Sequence, residues 1–123
     1  MLYNSTRGES PIVPFSEVLL GGLAPDGGLY MPQTFPKFSI EEIESWSNLP
    51  FHKLASKILY PYVEGEIEES IFLKLLEEAY TSFDEDDVVK LKKIEDNHWV
   101  LELFHGPTLA FKDVAMQLSL IHI

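Results

Sequence analysis

The chain has 123 residues, 46% of them hydrophobic and 12% aromatic, which is enough apolar material for one packed domain and too much for a disordered chain. Its 9 lysines and arginines stand against 20 acidic residues, a formal charge of −11, and this opposes generic binding to nucleic acid or anionic lipid, since both need a basic surface. With no cysteine, neither a disulfide framework nor a thiolate metal site is available.

The opening residues, Met1 to Gly8, carry no long apolar run and resemble neither a signal nor a transit peptide. No later apolar run approaches the roughly 20 residues needed to cross a bilayer. The expected location is the cytoplasm, and no membrane or nucleic-acid partner is expected.

Up to residue 38, glycines and prolines cut the chain into short pieces. A short helix is predicted from Pro14, placed in its first turn, to Leu20, with Gly21 closing it. Asp26-Gly27-Gly28 reads as a turn into a strand at Leu29-Tyr30-Met31, which is expected to pair with a strand around Tyr3. The same turn could be mistaken for a phosphate cradle, but it lacks the strand-to-helix setting such a cradle needs.

From Ser39 to Phe83 the pattern is helical. Ser39 is the expected N-cap, and Glu42 completes a capping box. Phe51, Leu54, Ala55, Ile58, Leu59 and Tyr62 form one apolar face at helical spacing. After Gly65 comes a second face: Ile67, Ile71, Leu75, Leu76, Ala79 and Phe83. Glu68, Glu69, Glu77 and Glu78 lie opposite and read as a solvated helix side rather than an acid/base pair or a metal site. Asp84 to Asp87 forms an acidic link. Two strands follow, Val88 to Ile94 and His98 to Phe104, joined by a hairpin turn at Asp96-Asn97. Beyond them a loop enters a helix from about residue 111.

That loop holds the chemically informative run, Glu-Leu-Phe-His-Gly-Pro-Thr-Leu-Ala-Phe-Lys-Asp at 102–113. It sets one lysine, Lys112, after a strand and a Gly-Pro break, at the head of a helix. Burial among Leu109, Ala110 and Phe111 would disfavour its ammonium form, as would the positive end of the helix dipole. A neutral amine is what an aldehyde cofactor requires. Asp113 opposes this if it lies close, so its carboxylate is expected to point elsewhere.

Residues 102–113 closely resemble the cofactor-lysine motif of threonine synthases. Ser5-Thr6-Arg7-Gly8 and the segment from Gly22 to Pro32 resemble the family's early signature, and the likeness runs to about residue 117. The resemblance implies an α/β fold, this piece being the α+β N-terminal region of a fold-type II pyridoxal-phosphate (PLP) enzyme. It implies conversion of O-phospho-L-homoserine and water to L-threonine and phosphate. Lys112 would hold PLP and act as the catalytic proton carrier. His105 and Thr108 are candidate substrate contacts, though His105 also reads as a hydrogen-bonded residue shaping the loop and Thr108 as a cap. Arg7 could pair with a substrate phosphate or carboxylate, or serve as a structural or free surface arginine. No metal site is expected.

The expected organisation is an N-terminal domain over 1–104, the start of the PLP-binding domain over 105–117, and a tail over 118–123 unlike the family. The chain then reads as a truncated frame with a foreign or frame-shifted tail. It would lack the Gly/Ser/Thr-rich loop for the PLP phosphate, expose apolar surface, and be inactive alone. Two other readings stay open: a non-catalytic acidic interaction module kept from such an enzyme, and a related PLP-dependent lyase.

Overall fold

Two small antiparallel sheets and five helices carry the chain in a computed structural model that describes residues 1–84 and 87–121. The acidic link expected at 84–87 and the tail expected at 118–123 fall partly outside the described residues. Helices and strands are mixed, in keeping with the α/β expectation.

The first sheet has the order β2-β1-β3, with β1 at Leu2–Ser5, β2 at Val13–Pro14 and β3 at Tyr30–Pro32. The expected pairing is present: Tyr3 faces Pro32, Asn4 faces Met31 and Ser5 faces Tyr30. Strand β2 was not anticipated, because two residues, one of them a proline, show no alternation for a pattern to reveal. Helix α1, Phe15–Gly21, starts one residue later than expected, with Pro14 as its N-cap residue. Its exposed N–H groups are satisfied at long range. Glu66 accepts from Phe15 N–H at 2.6 Å and from Ser16 N–H at 3.0 Å, so a carboxylate sits at the positive helix end.

Asp26 is the hub of the turn between α1 and β3. Its carboxylate accepts from Ser5 Oγ at 2.7 Å, Gly28 N–H at 2.8 Å and Glu9 N–H at 3.0 Å. The turn lies so close to β1 that a Cβ at Gly28 would stand 2.1 Å from Ser5 Oγ, so only glycine fits. Desolvation acts to raise the Asp26 carboxyl, but hydrogen bonds from Ser5, Gly28, Ser10 and Glu9 outweigh it and bring it from 3.8 to about 2. A depressed folded-state value means that the unfolded chain binds the proton more readily. The stabilisation is therefore present above the unfolded value and is lost as pH falls through about 2. Acid titration followed by circular dichroism should show a stability loss between pH 3.8 and about 2 that Asp26→Asn removes; equal acid profiles for both proteins would refute this.

Helix α2, Ile40–Ser45, opens with the expected capping box. Glu42 N–H donates to Ser39 Oγ at 3.1 Å, and Ser39 N–H donates to the Glu42 carboxylate at 2.7 Å. Helices α3, Phe51–Val63, and α4, Glu69–Tyr80, form an antiparallel pair around the core of Ala55, Val63, Phe72 and Leu76. The face of α4 differs from the expected one. Ile71 is exposed, while Phe72, Leu76 and Ala79, spaced i, i+4, i+7, are buried. On α3, Ile58 is exposed and Val63 buried. Glu68, Glu69, Glu77 and Glu78 are all exposed, which supports a solvated helix side.

The hairpin of β4, Lys90–Glu95, and β5, His98–Glu102, turns at Asp96-Asn97 as expected, with Asn97 at φ 61°. Val88 is buried with φ 60°, so the strand begins after it rather than at it. Both faces of β4 are exposed, and Leu91, Ile94, Trp99 and Leu101 lie open on the hairpin. Helix α5, Asp113–Ile121, starts two residues later than expected and runs unbroken past Gln117. It is held to α4 through the hydroxyl of Tyr80, which donates to the Val114 carbonyl at 3.1 Å.

Candidate active site around Lys112

Between β5 and α5 the chain folds into a short irregular loop, tied to the rest by the Asp84 N–H, which donates to the His105 carbonyl at 3.0 Å. The His105 ring is mostly buried. Its Nε2 lies 3.0 Å from the Glu102 carboxylate, and Phe104 covers its face at 4.7 Å between ring centres. Lys92 stands 4.0 Å from the other Glu102 oxygen. His105 is thus held within the loop by its contact with Glu102. Glu102 is a partner that sequence reasoning quoted but gave no role; the Glu-to-His spacing of three was the available signal.

The loop's other anchor is Asp113, which is 2% exposed. Its carboxylate accepts from Thr108 N–H at 2.8 Å and from Thr108 Oγ1 at 2.8 Å, with Gln117 Nε2 at 3.5 Å. Burial acts to raise this carboxyl. Hydrogen bonds led by those from Thr108 outweigh it and hold the group below the ordinary carboxylate range. As expected, Asp113 turns away from Lys112. Thr108 serves the turn as a donor to Asp113 rather than as an accepting cap. Space for this arrangement comes from Gly106, where a Cβ would meet the Asp113 Cβ at 2.4 Å and Oδ2 at 2.6 Å. Leu109 takes φ 60°, a left-handed conformation uncommon for a leucine.

Lys112 directly precedes the first turn of α5, and its carbonyl accepts the Met116 N–H at 2.8 Å. One expectation fails here. Leu109 and Phe111 are 69% and 65% exposed, and Ala110 and Lys112 are exposed too, so these apolar side chains do not bury the amine. On α5 it is Leu118 that packs against the core, while Asp113 is buried against Gly106 and Thr108, and residues 109–112 lie exposed. Among the described residues the Lys112 amine has no hydrogen bond or ion pair.

Arg7 lies in the turn after β1, where its guanidinium donates to the Asp26 carbonyl at 2.9 Å. An apolar hollow lined by Phe15, Leu19, Leu59, Val63, Phe72 and Leu118 borders the core and includes none of the candidate site residues. Among the described residues no group of three or more His, Asp and Glu could hold a metal ion, and no helix is long and apolar enough to cross a membrane.

The family model for the threonine synthase N terminus matches residues 2–80. A threonine synthase of Pseudomonas aeruginosa is 55% identical over 118 residues, covering 96% of this chain and 25% of that protein. The Saccharomyces cerevisiae threonine synthase is 41% identical over 123 residues, covering 94% of this chain and 24% of that protein. Among solved structures, the PLP-bound threonine synthase from Brucella melitensis superposes with a TM-score of 0.96 at 49% identity, over 99% of this chain and 26% of that one. The yeast threonine synthase structure gives 0.91 at 39% identity, over 98% of this chain and 25% of that one. The chain thus spans about a quarter of the length of the relatives it matches. A family model over most of the sequence, together with close agreement in backbone, leads to one conclusion: this chain belongs to the threonine synthase family.

Proposed function

We propose that this chain supplies the cofactor lysine of a PLP-dependent carbon–oxygen lyase that turns O-phospho-L-homoserine and water into L-threonine and phosphate. The observation that carries this reading is the place of Lys112, in the run 102–113 at the head of α5, within a backbone that matches a PLP-bound threonine synthase. A primary amine is the group that condenses with an aldehyde, and the Lys112 amine has no hydrogen-bond or ion-pair partner among the described residues, so it is available to PLP. When bound, PLP supplies the electron sink that makes protons near the substrate amine acidic.

The chain's own residues have simpler tasks. Lys112 would hold the cofactor through its amine and, when that amine is free, would carry protons to and from the substrate carbons. His105, fixed by Glu102, shapes the approach to that lysine rather than contacting substrate. Arg7, engaged with the Asp26 carbonyl, is likewise a structural residue in this reading. The substrate's phosphate does not cross bilayers unaided, which supports a cytoplasmic site of action. Relatives four times as long support a further proposal, that these residues alone do not complete the reaction.

The test is direct. Mixed with PLP, the protein should develop an absorbance band near roughly 410–430 nm from the lysine adduct, and Lys112→Ala should lose it. Borohydride reduction followed by peptide mass spectrometry should then place the label on Lys112. Equal labelling of Lys112 and the other lysines would sink the assignment.

A further inference from the structure

The geometry points to Asp113 as the positioning residue for Lys112: its buried carboxylate locks Thr108 onto the first turn of α5 and so turns the neighbouring amine outward. The inference rests on Lys112 being the cofactor lysine, and it gives a role to a side chain which that reading leaves without one. Three observations carry it. Asp113 is 2% exposed, among the most buried polar residues described, although it opens α5 directly after a loop whose side chains are largely exposed. Both of its oxygens are used, one by the Thr108 N–H and one by Thr108 Oγ1, each at 2.8 Å. The chain backbone is also shaped to admit it, since a Cβ at Gly106 would collide with Asp113 at 2.4 Å.

The backbone link then does the rest. Lys112 is joined directly to Asp113, so fixing the side chain at 113 against residues 106–108 also fixes the backbone from which the side chain at 112 departs. The same lock spans residues 108–113 and closes the turn that carries Leu109 and Phe111 on the outer side. An amine held in one direction reacts more readily with a bound aldehyde than one on a loose loop, because the ordering has been done before the encounter. Asp113 touches no reacting atom in this scheme. It acts through Lys112.

The experiment compares sites within one molecule. The protein is treated with substoichiometric PLP, reduced with borohydride, and digested; label at Lys112 is divided by label at the exposed lysines Lys53 and Lys74. Asp113→Ala should lower that ratio about tenfold. Asp113→Asn can still accept from the Thr108 N–H and donate to Oγ1, so it should restore the ratio to within about threefold of the parent. A purely stabilising role would shift unfolding temperature without altering the ratio. Amide exchange keeps the result interpretable: the Thr108 N–H should exchange faster in Asp113→Ala while Leu76 in the core stays protected. If Asp113→Ala unfolds, Thr108→Val decides, since it removes one of the two bonds and should still lower the ratio. An unchanged ratio in whichever of these variants remains folded overturns the positioning role alone. A parent protein that labels Lys112 no more than Lys53 overturns the cofactor reading, and the positioning role with it.

Discussion

Replacing Leu76 with alanine should cost about 3–5 kcal/mol, enough to leave much of the chain unfolded at room temperature. Leu76 has no exposed surface and packs at the centre of the cluster with Ala55, Val63 and Phe72, where α3 and α4 meet. Alanine would open a void that the surrounding helices can close only in part, so the penalty exceeds simple transfer of the lost methylenes. Urea denaturation followed at 222 nm, a wavelength chosen for helix content, measures the loss. The control is Ile71→Ala on the same helix. Ile71 is 51% exposed, so its truncation should cost less than about 1 kcal/mol. Equal penalties at the two positions would mean that α4 is rotated from the face described above.

Gly106→Ala is the second large effect, and it strikes the site rather than the core. The new methyl would lie 2.4 Å from the Asp113 Cβ and 2.6 Å from its Oδ2, so either the loop backbone or the start of α5 has to move. Overpacking of this kind costs about 1–3 kcal/mol. Displacing the carboxylate also strands a buried charge that otherwise accepts hydrogen bonds from Thr108. The variant should lose amide-exchange protection at Thr108 and at the start of α5, and should show weak PLP labelling of Lys112. Retention of both would show that the loop accommodates the methyl by a movement that leaves Asp113 in place.

Some of this was legible in the residues themselves and some was not. The capping box at Ser39 and Glu42 and the hairpin turn at Asp96-Asn97 rest on local chemistry that neighbouring residues declare, and the pairing of Tyr3 with the strand near Tyr30 follows from the turn at Asp26-Gly27-Gly28 that leads into that strand. The face of α4 was not legible because Ile71, Phe72, Leu73, Leu75 and Leu76 offer apolar groups on more than one side, and only the partner helix selects among them. Strand β2 is too short to show a period. At the site, the motif singled out Lys112, and the argument that a neighbouring carboxylate would hold its amine protonated set the Asp113 carboxylate away from it. The exposure of Leu109 and Phe111 ran against expectation, because hydrophobic composition tells that a side chain favours burial but not whether this chain provides the cover.

The contacts that bind the first sheet to the helices also have a consequence in time. Tyr3 Oη reaches the Tyr62 carbonyl across 59 positions, and Glu66 reaches Phe15 across 51. Closing loops of that length costs chain entropy that the neighbouring pair α3–α4 does not incur. Helical pairing of that local kind can proceed within microseconds to milliseconds, whereas distant pairings wait for their partners. For these two contacts, Tyr3 and the start of α1 wait on residues some fifty to sixty positions further along the chain.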